Sequence, residues 1–129
     1  MTLRALIVDD NTNFLATARR LLQREGIAVV GVASNGAEAL RGKEHHDPDV
    51  ILVDVDLGQE NGFDVAERLR AASGGQQPVV LISAYPEQDL EDLLESSSAI
   101  GFVSKSQLSA KAIIEVLDGH NHDRKARSS

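Results

Sequence analysis

Carboxylates stand directly after two apolar runs of the sequence, where strands of a sheet are predicted to end. Asp9 and Asp10 follow the first run, and Asp54 and Asp56 end the second, which begins at Val50. Continuous apolar runs of this length predict strands buried on both faces, which occur mainly in parallel sheets covered by helices. Because ligands bind at the carboxyl ends of parallel strands, we expect these four carboxylates at one edge of a sheet.

Such a cluster is electrostatically unfavourable unless something neutralises it. Two carboxylates about 5 Å apart repel by roughly 3 kcal/mol at an effective dielectric constant of about 20, so the folded cluster must take up protons or a cation. The chain has no cysteine, and ligand sets made of oxygen alone favour a hard ion such as Mg²⁺. Mg²⁺ is typically held by one or two carboxylates, water and a phosphate, so the cluster suggests a phosphoryl-transfer site.

Predicted strands alternate with predicted helices along the chain. Aliphatic and β-branched runs predict five strands, at 4–8, 27–33, 50–56, 79–83 and 100–104. Helices are predicted at about 13–24, from Asn35 to about His45, from Val65 to Ala72, after Pro86, and at 108–117. Asn35 and Glu38 are predicted to form a capping box at the start of the second helix. The segments 57–62 and 73–78 are predicted loops. This (βα)5 order indicates a doubly wound, flavodoxin-like α/β fold with a parallel sheet of strand order 2-1-3-4-5.

Length and composition predict one globular domain. The chain has 129 residues and is 42% hydrophobic but 3% aromatic, as suits a core of Val, Leu, Ile and Ala. We expect the domain over residues 1–118. The segment 119–129 has one apolar residue, Ala126, and is predicted to be a polar flexible tail or linker stub.

Charge and hydropathy restrict the partners that this chain can have. No apolar run approaches the roughly 20 residues of a membrane span, and the start lacks the pattern of a signal peptide, so we expect a cytoplasmic protein without a membrane partner. The formal net charge of −7, from 13 basic and 20 acidic residues, argues against nucleic-acid binding by this chain alone.

The residues that end the predicted strands form a recognisable set. In the order 2-1-3-4-5, four neighbouring strands end at Asp9 with Asp10, at Asp54, at Ser83 and at Lys105. This set resembles the receiver domain of two-component response regulators, which has an acid pair, a central Asp, a Ser or Thr followed by Ala, and a Lys at these places. The resemblance covers about residues 3–117, and its specificity comes from the whole set.

The resemblance implies a chemical role for each residue of the set. Asp54 would be the nucleophile that accepts a phosphoryl group from a sensor histidine kinase or a phosphotransfer protein. Lys105 would neutralise one phosphoryl oxygen, and the Ser83 hydroxyl would hydrogen-bond another. Beyond its own phosphorylation and dephosphorylation, no enzymatic reaction is expected of the chain.

Mg²⁺ is the cofactor that the resemblance implies. Asp10 would bind it directly, Asp9 directly or through water, and Asp56 through its backbone carbonyl, with Asp54 completing the set.

The resemblance also implies a switch and a path for water. When Ser83 moves toward the phosphoryl group, Phe102 would turn into the space that Ser83 leaves. Asp56 and Tyr85, each two residues past a site residue, would flank the path of water to the phosphorus. The face formed by the fourth helix, the fifth strand and the last helix would then signal to an output domain or an effector protein. A homodimer on phosphorylation is left open.

Three residues depart from the family pattern. Gly58 stands where the family commonly has a proline, which favours a more mobile loop. Ser83 replaces the commoner threonine and, without β-branching, has a less restricted rotamer. Ser106 follows the lysine where many members have a proline.

Two other functions are compatible with the sequence. Asp54-Val55-Asp56 matches the Asp-x-Asp nucleophile and acid/base pair of haloacid-dehalogenase phosphatases. That family, however, places the motif on its first strand in a chain that is usually longer. The third candidate is an unphosphorylated binding module with the same fold.

Overall fold

A parallel sheet of five strands forms the centre of the protein, whose computed structural model describes residues 2–128 and the side chains of residues 2–120. Its strands are β1 (Arg4–Val8), β2 (Ala28–Ala33), β3 (Val50–Asp54), β6 (Val79–Ser83) and β7 (Gly101–Ser104). Their order across the sheet is β2-β1-β3-β6-β7, and all four pairs are parallel. The predicted flavodoxin-like fold is confirmed, because β6 and β7 are the fourth and fifth strands of this sheet along the chain.

Helices cover both faces of the sheet, because side chains alternate between the two faces along each strand. The helices are α1 (Thr12–Arg24), α2 (Gly36–His46), α3 (Gly62–Ala72), α4 (Glu91–Glu95) and α5 (Ala110–Ser128). In β3, Val50 and Leu52 belong to the core cluster that includes α1 and α5. Ile51 and Val53 belong to the cluster that includes α2 and α3. Full burial of each such aliphatic side chain stabilises the fold by about 1.5–3 kcal/mol.

Asparagine caps begin the three helices that follow β1, β2 and β3. The side chains of Asn11, Asn35 and Asn61 each accept a hydrogen bond from a backbone N–H in the first turn, at 2.8–3.1 Å. The predicted capping box is only half present. Asn35 caps the N–H of Glu38, but the Glu38 carboxylate accepts from the N–H and hydroxyl of Ser34, at 2.8 and 2.9 Å, rather than from Asn35.

The segment predicted as a loop after Asp56 forms a small hairpin instead. Its strands, β4 (Asp56–Leu57) and β5 (Glu60–Asn61), pair antiparallel around the turn Gly58-Gln59. Gly58 has φ 76°, which fits the first position of a type II′ hairpin turn. Because proline holds φ near about −65°, this backbone excludes the proline that the family commonly has here. Strands of two residues contain no periodicity that a sequence pattern could reveal.

The connection predicted at 73–78 is more buried than expected. Gln77 is buried, and its Nε2 donates to the carbonyl of Pro48 at 2.6 Å. This hydrogen bond holds the start of β6 to the segment that precedes β3.

The last two helices depart from their predicted bounds. After Pro86 the chain forms a 3₁₀ turn over Glu87–Leu90 before the short α4. A second 3₁₀ turn, Lys105–Gln107, precedes α5, which continues past the predicted end at Leu117. Two predictions stay predictions: the domain boundary at residue 118 and the interpretation of 119–129 as a tail. The side chains after residue 120 lie outside those that the structure describes.

Across the described residues, none of the helices has the length and apolar character that crossing a bilayer requires. The cytoplasmic location stays a prediction.

Candidate functional site

An acidic cleft opens at the carboxyl ends of β1, β3, β6 and β7. It has a volume of about 250 Å³ and is lined by Asp9, Asp10, Asn11, Asp54, Asp56, Gly58, Ser83, Ala84, Tyr85 and Lys105. All the residues predicted for the site, apart from Phe102, therefore lie together. Phe102 is on β7 beside Leu81 of β6 and lines a separate groove.

Lys105 joins the two buried carboxylates of the cleft. Its Nζ lies 2.6 Å from Asp9 Oδ2 and 2.9 Å from Asp54 Oδ2. Asp9 is fully buried and Asp54 is 6% exposed, so water solvates neither carboxylate well. The ammonium thus replaces part of the hydration that these carboxylates lose on folding.

Burial and charge shift the pKa values of Asp54 and Lys105. Burial raises the pKa of Asp54 above its ordinary value and the Asp9 carboxylate adds to this, while Lys105 and the Asp56 N–H oppose it. For Lys105, burial disfavours the charged form, but the interactions with Asp9 and Asp54 outweigh burial and raise its pKa. The ammonium therefore stays charged at neutral pH. Its single positive charge cannot balance the three carboxylates of Asp9, Asp10 and Asp54.

The remaining negative charge suits a hard cation. Asp9, Asp10 and Asp54 each offer one carboxylate oxygen, and these oxygens lie within 4.8 Å of one another. Asp9 Oδ1 accepts the N–H of Asn11 at 2.8 Å. Among the described residues, the buried Oδ2 has no partner besides the Lys105 ammonium. A set of carboxylate oxygens with free acceptor capacity fits Mg²⁺ better than it fits softer metals.

Ser83 and Tyr85 lie where the chain leaves β6. Ser83 is fully buried, and its Oγ accepts the backbone N–H of Tyr85 at 2.9 Å. A hydroxyl that accepts one hydrogen bond still has its own proton to donate. Tyr85 lines the cleft and is 57% exposed.

Asp56 is held by the hairpin that follows it. Its Oδ1 accepts the N–H of Gly58 at 3.0 Å, and its own N–H donates to Asp54 Oδ1 at 3.2 Å. The Asp56 side chain is exposed, and the proposed use of its backbone carbonyl as a ligand stays a prediction.

Three residues of this site were not identified as functional from the sequence. Asn11 caps α1, and its backbone N–H also donates to the Asp9 carboxylate. Phe14 falls in the helix predicted at about 13–24, and the Lys105 Nζ lies 4.3 Å from the centre of its ring. Gly62 was placed in a loop, yet a Cβ at that position would overlap the backbone of Asp54. Helical periodicity explains Phe14 equally well as a core residue, so no sequence signal separates the two roles.

The fold and the cleft define a class of protein, the doubly wound α/β domain with an acidic cleft at the carboxyl ends of its strands. The family model of the response regulator receiver domain matches residues 5–118, and the chain belongs to that family. Receiver domains typically bind Mg²⁺ in an acidic pocket, and Asp9, Asp10 and Asp54 form an acidic cluster in this chain.

Relatives place the domain in longer proteins. The chain is 30% identical over 102 residues to the transcriptional regulatory protein PdtaR of Mycobacterium tuberculosis, covering 79% of this chain and 49% of that protein. It is 36% identical over 104 residues to a protein-glutamate methylesterase/protein-glutamine glutaminase of Rhodospirillum rubrum, covering 79% of this chain and 28% of that protein. The chain thus spans half or less of the length of these relatives.

A solved structure supports the same assignment. The signal receiver domain of a modulated diguanylate cyclase from Desulfovibrio desulfuricans matches with a TM-score of 0.77 at 29% identity, covering 98% of this chain and 99% of that chain. The predicted function, a receiver domain of two-component response regulators, is confirmed. The haloacid-dehalogenase alternative is not supported, and the receiver family is not itself a class of enzymes.

Proposed function

We propose that Asp54 accepts the phosphoryl group, and that a histidine kinase or a phosphotransfer protein donates it. The main support is the position of Asp54 at the end of the central strand, with one oxygen 2.9 Å from the Lys105 ammonium. Asp9 is fully buried behind the same lysine, and Asp10 is exposed. Asp54 alone among the three combines partial access with a cationic partner, which suits a nucleophile.

The proposed reaction transfers a phosphoryl group between two side chains. The P–N bond of a phosphohistidine breaks, a P–O bond to an Asp54 carboxylate oxygen forms, and the imidazole leaves with the electron pair. Burial raises the pKa of Asp54, and a more basic carboxylate is a better nucleophile. The Lys105 ammonium and the Ser83 hydroxyl are placed to compensate charge on the transferred group.

The metal would be held by Asp9, Asp10 and Asp54, with the backbone carbonyl of Asp56. When bound, Mg²⁺ neutralises charge on the phosphoryl oxygens. The protein's own residues then have two tasks, which are to align the Asp54 oxygen with the phosphorus and to exclude competing water.

Mass spectrometry of the intact protein tests the phosphoacceptor. Incubation with acetyl phosphate and Mg²⁺ should add one phosphoryl group to the wild type and none to Asp54→Asn. Asp64→Asn, a change of the same type on an exposed residue of α3, should label like the wild type. Full labelling of Asp54→Asn at the wild-type rate would overturn the assignment.

We further propose that the output surface is the face formed by α4, β7 and α5. A groove of about 530 Å³ lies on this face, lined by Pro86, Glu87, Phe102, Val103, Ser104, Gln107, Ala112, Glu115 and Val116. The exposed apolar side chains of Leu93 and Ile114 belong to α4 and α5. Acidic side chains at positions 87, 89, 91, 92 and 95 favour a partner with basic as well as apolar groups.

The sheet offers a short path from the cleft to this face. Ser83 on β6 is paired in register with Ser104 on β7, and Phe102 lies two residues earlier on the same face of β7. A displacement of Ser83 toward the phosphoryl group would therefore act on the strand that holds Phe102. Amide chemical shifts before and after phosphorylation test this path. Changes confined to the cleft and absent from residues 87–117 would contradict it.

A further inference from the structure

We propose that Phe14 is a positioning residue for Lys105, whose ring holds the ammonium at the position from which it reaches both Asp9 and Asp54. The inference rests on the proposed function of Lys105 in phosphoryl transfer. Nζ lies 4.3 Å from the centre of the Phe14 ring, well inside the distance of about 6 Å at which a cation is attracted to the face of an aromatic ring.

Two hydrogen bonds join the backbone of Phe14 to the acid pair. The N–H of Asn11 donates to Asp9 Oδ1 at 2.8 Å, and the Asn11 side chain accepts the N–H of Phe14 at 3.1 Å. One stretch of chain thus joins the Asp9 carboxylate, the start of α1 and the Phe14 backbone. The backbone that carries the Phe14 ring and the Asp9 carboxylate therefore belong to the same local structure.

The ring supplies what the two carboxylates cannot. The Lys105 ammonium ends a flexible four-carbon stem, and the ring adds a third attractive partner to the two carboxylates. The Lys105 side chain is only 17% exposed, so the aromatic face replaces water on another side of the ammonium. Because the ring carries no net charge, it attracts the cation without competing as an anion for the phosphoryl oxygens that Lys105 must meet.

Substitutions of Phe14 separate the attraction between the ring and the ammonium from simple packing. Phe14→Leu keeps an apolar side chain but removes the aromatic face, and it should slow acetyl phosphate labelling by about threefold, the size of an ordinary cation–π contact. Phe14→Tyr keeps the face and should label like the wild type. Phe63→Leu, the matched change on α3 in the opposite core cluster, should also label like the wild type.

Fluorinated phenylalanines at position 14 sharpen the comparison. Successive fluorine atoms weaken the negative face of the ring with little change in its shape. Labelling should therefore slow stepwise from mono- to di- to trifluorophenylalanine. Equal rates across this series would show that the ring only fills space and would overturn the proposal.

A magnetic resonance measurement tests the contact without phosphorylation. The ε-methylene protons of Lys105, assigned by their loss in Lys105→Ala, should be shifted upfield by the ring current in the wild type and in Phe14→Tyr. They should lie at ordinary lysine shifts in Phe14→Leu. Ordinary shifts in the wild type would overturn the contact itself.

The two proposals fail in different ways. If Lys105→Ala is labelled at the wild-type rate, the role of Lys105 in transfer is overturned. The positioning role of Phe14 is then overturned as well, even where the upfield shift is present. Slow labelling of Lys105→Ala with equal rates for all variants at position 14 would overturn the role of Phe14 alone.

Discussion

The backbone of Gly62 lies directly against the carbonyl oxygen of Asp54, so closely that a Cβ at position 62 would overlap that oxygen. The Gly62 N–H also donates to the carbonyl of Val55 at 2.9 Å. The start of α3 is thereby fixed to the end of the central strand. Glycine is required here by the close approach of two backbones rather than by a positive φ.

Gly62→Ala should therefore destabilise the protein and displace Asp54. We expect a loss of about 1–3 kcal/mol in the free energy of unfolding, because the backbone must move to accept the methyl group. Urea denaturation measures this loss, and slower acetyl phosphate labelling would report the displacement. Gly119→Ala is the control, since position 119 lies in α5 with no atom within 4 Å of the added methyl. It should be neutral or stabilising by up to about 1 kcal/mol. Wild-type stability in Gly62→Ala would contradict the observed contact.

Magnesium should stabilise the unphosphorylated protein. The cation relieves repulsion among Asp9, Asp10 and Asp54, whose nearest oxygens lie within 4.8 Å of one another. At a hundredfold excess over its dissociation constant, Mg²⁺ should raise the unfolding free energy by about 2.7 kcal/mol. Thermal unfolding with and without the ion measures the effect.

Asp10→Ala should remove most of this stabilisation. Asp10 is exposed and forms none of the ion pairs described for residues 2–120, so the change removes a proposed ligand without breaking an ion pair. Asp64→Ala on α3 is the matched control and should keep the full response. Equal stabilisation of Asp10→Ala and the wild type would mean that the ion binds elsewhere.

Long apolar runs made the sheet and the acidic edge predictable from the sequence. The run from Val50 to Val53 is short, rich in β-branched residues and preceded by Pro48, which favours a buried strand over a helix and places Asp54 at its end. The same argument positions Asp9 and Ser83. It also positions Lys105 at the edge, but it cannot show that the ammonium meets Asp9, because that contact depends on side-chain rotamers.

Three features, each formed by only a few residues, could not be predicted from the sequence. The hairpin formed by β4 and β5 has two residues in each strand, too few for a period of two to be recognised. The contact of Phe14 with Lys105 joins residues far apart in the sequence, and an aromatic residue at a core position of a helix gives no hint of it. The position of Gly62 depends on the distance between two backbones, which composition does not encode.

The Glu38 carboxylate should make stability depend on pH at the acidic end. Hydrogen bonds from the backbone and hydroxyl of Ser34 lower the pKa of Glu38 below its ordinary value. A lowered folded-state pKa means that the stabilisation is present above the unfolded-state pKa and is lost as pH falls through the folded-state value. At neutral pH, Glu38→Gln should cost about 0.5 kcal/mol, a small value because the side chain is only partly buried and solvent screens its charge.

The pH dependence of the difference between wild type and Glu38→Gln is the measurement. The two unfolding free energies should converge as pH falls below the ordinary range for a glutamic acid. Glu44→Gln, on the last turns of the same helix, is the control and should leave the unfolding free energy at neutral pH close to that of the wild type. A difference that stays constant down to strongly acidic pH would contradict the hydrogen bonds to Ser34.

The lifetime of the phosphorylated form should depend on Tyr85. Its side chain lines the cleft while 57% exposed, a placement from which the ring could cover a phosphoryl group on Asp54. Its backbone N–H, which donates to Ser83 Oγ at 2.9 Å, is kept in any substitution except proline. Tyr85→Ala therefore removes the ring without disturbing the Ser83 hydroxyl.

We expect Tyr85→Ala to speed autodephosphorylation by about tenfold, equivalent to roughly 1.4 kcal/mol of the barrier, because water then reaches the phosphorus more readily. Tyr85→Phe keeps the ring and should be close to the wild type, since the tyrosine hydroxyl does not act as a base near neutral pH. Phosphate release from the purified aspartyl phosphate, at fixed pH and Mg²⁺ concentration, measures all three rates. An unchanged or slower rate in Tyr85→Ala would mean that the ring does not shield the site.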